Sequence, residues 1–259
     1  MFQTSESWTK TYDRLLRYQA DLSADIEMVF FRQTNHWLSA QNILDFGSGN
    51  SYYARILSNK FPSKQFTCID KNPSLASIGK DIWDHAKMAT LTGTFHDLNP
   101  QSPFDFIYSR HVLSYLEAKE RQSFIRWASM NTTNNSAILV IDADDDEFFC
   151  FPKLPFLESG NERFKDELKA KGGDRSLRNG IEDDFRQQGF RLKSTVPLII
   201  HSDIASRKYL LSMFMCAVAE IDHGTPLPHP VREEIDSWAN DSNSYLQYGL
   251  FGSLYERVA

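Results

Sequence analysis

Several hallmarks of common protein classes are missing from this chain of 259 residues. Its three cysteines, Cys68, Cys150 and Cys216, are far apart and show no CxxC or Cys/His spacing, so the sequence predicts neither a disulfide framework nor a zinc site. No stretch approaches the length of about 18 apolar residues that a membrane span needs. The polar N-terminus, MFQTSESWTKTYDRLLRYQ, lacks the apolar segment of a signal peptide. We therefore expect a cytoplasmic protein that does not contact membranes.

The chain also has fewer basic residues than acidic residues. The chain has 28 Lys and Arg residues against 34 Asp and Glu residues, for a net charge of -6, and its basic residues form no long run. Binding to a phosphate backbone requires concentrated positive charge, so nucleic acid is not an expected partner. The sequence gives no indication of the oligomeric state.

Short apolar stretches alternate with helical patterns through the first half of the chain. The stretches that read as strands are NILDF (42–46), QFTCID (65–70), TLTGTFHD (90–97), FDFIYS (104–109) and SAILVID (136–142). The helical spacing between them predicts helices over 51–61, 74–88 and 114–130. This alternation implies right-handed crossovers and a parallel sheet with helices on both faces, so the fold class is α/β.

The last third is less regular. A strand over 191–202 contains Pro197, which favours an edge position or a bulge, and a strand over 245–258 follows two helical stretches. We predict a seven-stranded, mostly parallel, doubly wound sheet whose last strand is antiparallel. We predict one domain, divided into an N-terminal helical cap or lid (1–40), a core (41–202), a helical insertion between the last two strands (203–242) and a closing strand (243–259).

The stretch ILDFGSGNSYYARIL joins the first strand to a helix through Gly47 and Gly49. A glycine turn of this kind brings backbone N–H groups and a helix N-terminus close to a ligand. The dinucleotide pattern GxGxxG would need a glycine where the chain has Tyr52, and the GxxxxGK[ST] pattern is absent. Taken alone, the turn is equally compatible with an ordinary tight connection.

Acidic residues end the predicted strands around this turn. Asp45, Asp70 and Asp97 would lie at the carboxyl ends of neighbouring parallel strands, where open α/β sheets bind ligands. Each acid by itself could also be a helix cap or a solvated loop residue. Together with the glycine turn, they predict one ligand crevice at this edge of the sheet.

With these motifs, the chain resembles the class I S-adenosylmethionine-dependent methyltransferases. ILDFGSGNSYYARIL is similar to the glycine-rich first motif of that family, FTCIDKNPSLASIGK to the second, GTFHDL to the third and FDFIYSRHVLSYL to the fourth. The resemblance covers residues 40–145 and implies a Rossmann-like fold, S-adenosylmethionine as cofactor and S-adenosylhomocysteine as product. One departure is the stretch 50–52, Asn-Ser-Tyr, which is bulkier than the residues often found there.

The resemblance also implies contacts with the cofactor. Gly47 and Gly49 would admit its methionine part, and Asp45 would lie near the ammonium group. Asp70 would accept hydrogen bonds from both ribose hydroxyls, a geometry that suits a carboxylate. The other implied contacts are Lys71 and Asn72 beside the adenine, His96 and Asp97 at the adenine edge, and Ser109 beside the methionine part.

Methyl transfer from a sulfonium is an in-line displacement from an activated donor, so positioning can suffice and a base is not obligatory. His111, just after the fourth strand, is the candidate general base because its ordinary pKa lies near neutrality. A packing role is the alternative for His111. Tyr115, one helical turn further on, is a candidate acceptor contact or a core residue.

The stretch IDADDDEFF (141–149) is unusually acidic, and its Asp142 and Asp144 are candidate acceptor contacts. Three interpretations remain open: a solvated loop, a site for a cationic or amine acceptor, and a divalent metal site for a catechol-like acceptor. The fourth strand ends in YSRH and offers no carboxylate to complete an oxygen-rich site, so we assign no metal. Tyr12 and Tyr18 are candidate contacts from an N-terminal lid, or core residues.

The leading hypothesis is methyl transfer to the nitrogen or oxygen of a small-molecule acceptor, with amine-bearing acceptors included. An enzyme that transfers an aminopropyl group to a polyamine would use the same fold and a related cofactor. A non-catalytic module that binds S-adenosylmethionine is the third alternative. The nucleoside product separates the first two, because aminopropyl transfer leaves methylthioadenosine.

Overall fold

The computed structural model describes residues 6–83, 87–175 and 177–258. The strands are β1 (Asn42–Phe46), β2 (Gln65–Asp70), β3 (Met88–Thr92), β4 (Phe104–Arg110), β5 (Thr132–Ala143), β6 (Phe149–Phe151), β7 (Phe190–His201) and β8 (Tyr245–Arg257). The helices are α1 (Glu6–Gln33), α2 (Asn35–Ser39), α3 (Tyr52–Lys60), α4 (Pro73–Trp83), α5 (Ala118–Met130), α6 (Pro155–Ala170), α7 (Glu182–Gln187), α8 (Ala205–His223) and α9 (His229–Asn240). Over the described ranges, no helix combines the length and the apolar character needed to cross a bilayer.

The strands form one sheet in the order β3-β2-β1-β4-β5-β8-β6, with β7 also paired to β8. β1 to β5 run parallel, whereas β8 is antiparallel to β5, β6 and β7. The predicted α/β class with a mostly parallel sheet and an antiparallel closing strand is confirmed. The sheet has eight strands instead of seven because Phe149–Phe151 adds a short strand beside β8. Pro197 lies in β7, whose one strand partner among the described residues is β8, so it occupies an edge.

The prediction that the third strand ends at Asp97 is wrong. β3 ends at Thr92, and residues Phe95–Asp97 form a short 3-10 turn. The Asp97 carboxylate accepts hydrogen bonds from the Thr94 N–H at 2.7 Å and the Thr94 hydroxyl at 3.1 Å, which caps that turn. The helix predicted over 114–130 is likewise a 3-10 turn over 113–115 followed by α5.

Apolar side chains fill both faces of the sheet. Ile43 of β1 packs into the layer below α1 to α3, and the next residue, Leu44, packs into the opposite layer with Phe124 of α5. Successive strand residues point to opposite faces, so a strand covered on both sides is apolar throughout. Because both faces are covered, polar side chains gather at the carboxyl ends of the parallel strands.

Candidate active site

A cavity of about 1070 Å³ lies at the carboxyl ends of β1, β2 and β4. Trp8, Tyr12 and Leu16 of α1 cover one side of it, and side chains of α6 and α8 line another part. Ligand pockets in proteins usually measure about 300–1,000 Å³. The cavity therefore has room for a nucleoside cofactor and a small second molecule.

The glycine turn forms one wall of this cavity. Gly47 and Gly49 have φ values of 74° and 55°, in the left-handed region that favours glycine. A Cβ on Gly47 would lie 2.2 Å from Val112 Cγ2, and one on Gly49 would lie 2.6 Å from Leu16 Cδ1. Any other residue at either position would have a strained backbone, and its Cβ would lie too close to a side chain that lines the cavity.

Asp70 ends β2 and faces the turn. Its Oδ2 accepts the Gly49 N–H and its Oδ1 accepts the Asn72 N–H, both at 2.8 Å. Each carboxylate oxygen can accept two hydrogen bonds, so each has one further acceptor position. Burial raises the pKa of Asp70, whereas the two backbone donors lower it. Asn72 in turn starts α4, because its Oδ1 accepts the Ser74 N–H at 3.0 Å.

Asp45 and Arg110 form the floor of the cavity. Burial raises the pKa of Asp45 to about 7, although the positive charge of Arg110 works in the opposite direction. The Arg110 Nε lies 3.1 Å from the carboxylate of Glu27 in α1, and its Nη2 donates to Ser23 Oγ at 2.9 Å. The guanidinium also lies 4.0 Å from the centre of the Tyr53 ring. The contacts of Arg110 with Glu27 and Ser23 therefore connect the end of β4 to α1.

His111 lines the cavity beside Arg110. Its φ of 53° is unusual for a residue other than glycine, and its N–H donates to Ile141 O at 2.8 Å. The Nδ1 lies 3.8 Å from Asp142 Oδ1, while the Nε2 is buried without a hydrogen-bond partner. Burial, together with the charges of Arg110 and Arg175, holds the pKa of His111 well below its usual range. The imidazole is therefore neutral at pH 7, which is the form that a general base needs, but the same burial and charges make it a weak base.

The bulky residues after Gly49 attach the turn to α1. Asn50 Nδ2 donates to Asp13 Oδ1 at 2.6 Å, and its Oδ1 accepts the Tyr52 N–H at 3.1 Å. The Tyr52 hydroxyl donates to Asp21 Oδ1 at 3.0 Å. The departure from the family pattern at 50–52 thus has a physical reason, since these side chains hold α1 against the glycine turn.

The acids that reach the cavity from the stretch 141–149 are neutralised by arginines. Arg178 Nη1 lies 2.6 Å from Asp144 Oδ2. Arg175 donates to both oxygens of Asp145, at 2.5 Å and 3.2 Å. These ion pairs weigh against the interpretation of this stretch as a site for a cationic acceptor.

The cavity wall includes many of the residues predicted from the sequence: Tyr12, Asp45, Gly47, Gly49, Asp70, Lys71, Asn72, His111, Tyr115 and Asp144. The other predicted residues, Tyr18, His96, Asp97, Ser109 and Asp142, are outside it. Asp97 is occupied in capping its own turn, and His96 lies over the Phe95 ring at 4.0 Å. Ser109 and Asp142 are buried within β4 and β5. Because β3 ends at Thr92, the cavity is lined here by Gly93, Thr94 and Phe95, and not by His96 and Asp97.

Sequence reasoning missed several residues that line the cavity, including Arg110, Arg175, Tyr248 and the apolar side of α6. Arg110 stands in the quoted motif FDFIYSRHVLSYL, so its position was visible. No local sequence pattern indicated a role for Arg175, because its ion-pair partner Asp145 is 30 residues away in the chain. Within the described ranges, no group of His, Cys, Asp and Glu side chains has the geometry to hold a metal ion.

Comparison with known proteins adds to this geometry. Residues 43–132 match the model of a protein family described as a methyltransferase domain. Over this stretch the chain is similar to that family, and its sheet has the class I methyltransferase fold. The matched stretch runs from β1 to the start of β5 and includes the glycine turn, Asp70 and His111. A search of curated protein sequences found no significant match.

Solved structures share the fold at low sequence identity. A putative sarcosine dimethylglycine methyltransferase from Galdieria sulphuraria is 15% identical, with a TM-score of 0.55, over 90% of this chain and 83% of that one. The plantazolicin methyltransferase BpumL, solved with S-adenosylhomocysteine, is 14% identical, with a TM-score of 0.51, over 96% and 88%. The mitomycin 7-O-methyltransferase MmcR is 21% identical, with a TM-score of 0.50, over 61% of this chain, which covers 45% of MmcR. These similarities support the fold of the methyltransferase domain.

The polar groups of the cavity fit S-adenosylmethionine, the cofactor that the resemblance implies. Asp70 keeps an acceptor position on each carboxylate oxygen, which suits two neighbouring ribose hydroxyls. Asp45 lines the same cavity at the end of β1, where a carboxylate complements an ammonium group. The left-handed Gly47 and Gly49 place no side chain of their own between these two acids.

Proposed function

We propose that this protein transfers the methyl group of S-adenosylmethionine to a nitrogen or oxygen atom of a small-molecule acceptor. The observation that carries the proposal is one continuous cavity that is lined by Asp45, Asp70, the glycine turn and His111. A cofactor held by the acids would place its reactive end towards the middle of this cavity. The similarity to methyltransferases of small molecules supports the same assignment.

The residues of the cavity have distinct roles in this proposal. Asp70 binds the ribose hydroxyls, Asp45 binds the ammonium group, and Lys71 and Asn72 flank the adenine. When bound, S-adenosylmethionine supplies an activated methyl group on a sulfonium. The chain supplies alignment, exclusion of water by α1, and His111 as the candidate general base.

The position of the His111 ring is set by its surroundings. With its proton on Nδ1, which is the nitrogen nearer Asp142, the neutral ring keeps its lone pair on Nε2, which is buried in this structure. The Asp142 carboxylate is itself held by the Ser114 hydroxyl at 3.0 Å and the Ala143 N–H at 2.9 Å. Asp142 thus acts in this proposal as a positioning residue behind His111.

The nucleoside product tests the proposal. The protein is incubated with S-adenosylmethionine and a pool of candidate acceptors, and the nucleosides are separated and weighed by mass spectrometry. Acceptor-dependent S-adenosylhomocysteine supports methyl transfer. Methylthioadenosine would instead support aminopropyl transfer, and binding without any turnover would support a non-catalytic module.

A further inference from the structure

The part of the cavity beyond the cofactor residues lies over the other half of the sheet. Asp45, Asp70 and the glycine turn lie at the ends of β1 and β2, whereas this second part is walled by residues that follow β4 and β5, by β8, and by α6 and α8. In the sheet, β4, β5 and β8 follow one another on the side of β1 away from β2. We call this part the aromatic chamber and define it by its ring-bearing side chains, which are Tyr115, Phe148, Phe156, Phe164, Phe214 and Tyr248.

The rings of the aromatic chamber keep part of their surface uncovered. Tyr115 is 37% exposed, and the other five rings are half-buried, although each belongs to the cavity wall. The Tyr115 and Phe164 rings are 5.8 Å apart with their planes at 61°, and the Phe214 and Tyr248 rings are 5.6 Å apart at 38°. A ligand with rings of its own would cover this apolar surface and add ring contacts, so it would gain a burial free energy that the free protein forgoes.

The charged side chains around these rings are already paired. Among the described residues that follow 143, every acid and every base that lines the cavity has an ion-pair partner. The pairs are Asp144 with Arg178 at 2.6 Å, Asp145 with Arg175 at 2.5 Å, Asp222 with Arg163 at 2.7 Å, Glu167 with Lys171 at 3.8 Å, and Glu220 with Arg14. A charged group packed among the rings would therefore lose its water and would have to displace an existing partner to gain a counter-charge.

We propose that the acceptor is an uncharged aromatic compound of two or more fused rings, and that its ring system occupies the aromatic chamber. The inference rests on the proposed function and names the class of its acceptor, whether the methylated atom is nitrogen or oxygen. The cavity of about 1070 Å³ is slightly larger than the 300–1,000 Å³ of most ligand pockets, which leaves room for such a ring system beside the cofactor. Phe164 of α6 and Phe214 of α8 are specificity-determining residues in this proposal.

Calorimetry with probes of matched shape tests the acceptor class. Protein saturated with S-adenosylhomocysteine is titrated with naphthamide, with the naphthoate anion of nearly the same shape, and with the naphthylmethylammonium cation. We expect naphthamide to bind at least about tenfold more tightly than either ion, because each ion would be buried without a free counter-charge. The saturated counterpart, decahydronaphthamide, should bind at least about threefold more weakly than naphthamide, because its ring contacts are lost.

Removing one ring of the chamber tests where the probe binds. Phe164→Ala should lower the affinity for naphthamide at least about fivefold and leave the affinity for S-adenosylhomocysteine within about twofold. Phe151→Ala removes a ring that is 55% exposed on β6 and outside the cavity, so this matched control should change neither affinity. An unchanged naphthamide affinity in folded Phe164→Ala would place the probe outside the chamber and contradict the proposal.

A variant that frees one acid tests the role of the ion pairs. Arg178→Gln removes the positive partner of Asp144, so it should raise the affinity for the ammonium probe at least about fivefold and leave the naphthamide affinity within about twofold. Arg186→Gln, which breaks an exposed pair with Asp183 outside the cavity, is the matched control and should change neither. An ammonium affinity that does not rise in the folded variant would contradict the exclusion of cations by these pairs.

The two proposals fail in different ways. If S-adenosylhomocysteine binds but naphthamide does not, or if a charged or saturated counterpart binds as tightly as naphthamide, the acceptor class is wrong and the proposed function stands. If neither S-adenosylmethionine nor S-adenosylhomocysteine binds to the folded protein, the proposed function is itself wrong.

Discussion

Cofactor binding should weaken sharply below neutral pH because of Asp45. Asp45 is 3% exposed, and burial raises the pKa of its carboxyl group to about 7 in the free protein. An ammonium group bound beside it requires the ionised form. At about pH 5.5 only about 3% of the free protein would have Asp45 ionised, against about half at pH 7. The affinity for S-adenosylhomocysteine should therefore fall about fifteenfold over this range, or by about 1.6 kcal/mol.

Isothermal titration calorimetry at several pH values measures this effect directly. Asp45→Asn should bind more weakly at pH 7 and lose most of the pH dependence, since the neutral amide does not titrate. The pKa of Asp70 is also raised, so Asp70→Asn serves as the comparison that assigns the slope to one acid or the other. An affinity that stays constant from pH 7 to about pH 5.5 in the folded wild-type protein would refute the role of Asp45.

The raised pKa of Asp45 also makes the free energy of unfolding depend on pH. The pKa of Asp45 is higher in the folded protein than in the unfolded chain, so the folded state binds more protons between about pH 4 and about pH 7. The contribution of Asp45 to the free energy of unfolding therefore decreases as the pH rises through this window. Asp45→Asn should remove that decrease in denaturant unfolding of the free protein.

Further substitutions test the other parts of the site. Asp70→Ala should weaken S-adenosylhomocysteine binding by about 1.5–3 kcal/mol in calorimetry, and unchanged binding would contradict the ribose contact. His111→Ala should lower kcat by about 10²–10⁴ with little change in cofactor affinity, and a small loss would favour catalysis by positioning alone. Asn50→Ala removes the hydrogen bonds that Asn50 makes with Asp13 and with the Tyr52 N–H, and it should cost about 1–3 kcal/mol in urea unfolding, against almost no cost for the exposed Asn99→Ala.

Local patterns in the sequence predicted the first half of the fold well. Apolar strands such as NILDF and SAILVID are covered on both faces, so they form continuous runs that a short-range pattern reveals. The end of the third strand was predicted wrongly, because TLTGTFHD contains a bend at Gly93, whose φ of 151° the residue types alone did not indicate. The three residues of β6 are too few to give a periodic signal.

Within the candidate site, the sequence predicted the cofactor residues better than the acceptor residues. Asp45, Asp70 and the glycines follow from their order along the strands, and strand order determines which ends are neighbours. The acceptor part depends on contacts between distant segments. Arg175 with Asp145 and Tyr248 with Phe214 are brought together by packing, which a one-dimensional pattern does not report. The acidic stretch 142–147 was recognised as unusual in the sequence. The arginines that pair with it, Arg175 and Arg178, come about 30 residues later in the chain.

The central claim is that the cavity at the carboxyl ends of β1, β2 and β4 binds S-adenosylmethionine through Asp70. Calorimetric titration of the wild-type protein and Asp70→Ala with S-adenosylhomocysteine, alongside circular dichroism to verify folding, tests it most directly. We predict one site per chain in the wild-type protein and an affinity at least about tenfold lower in the variant. Equal affinities in two folded proteins, or no binding by the wild-type protein, would contradict the claim.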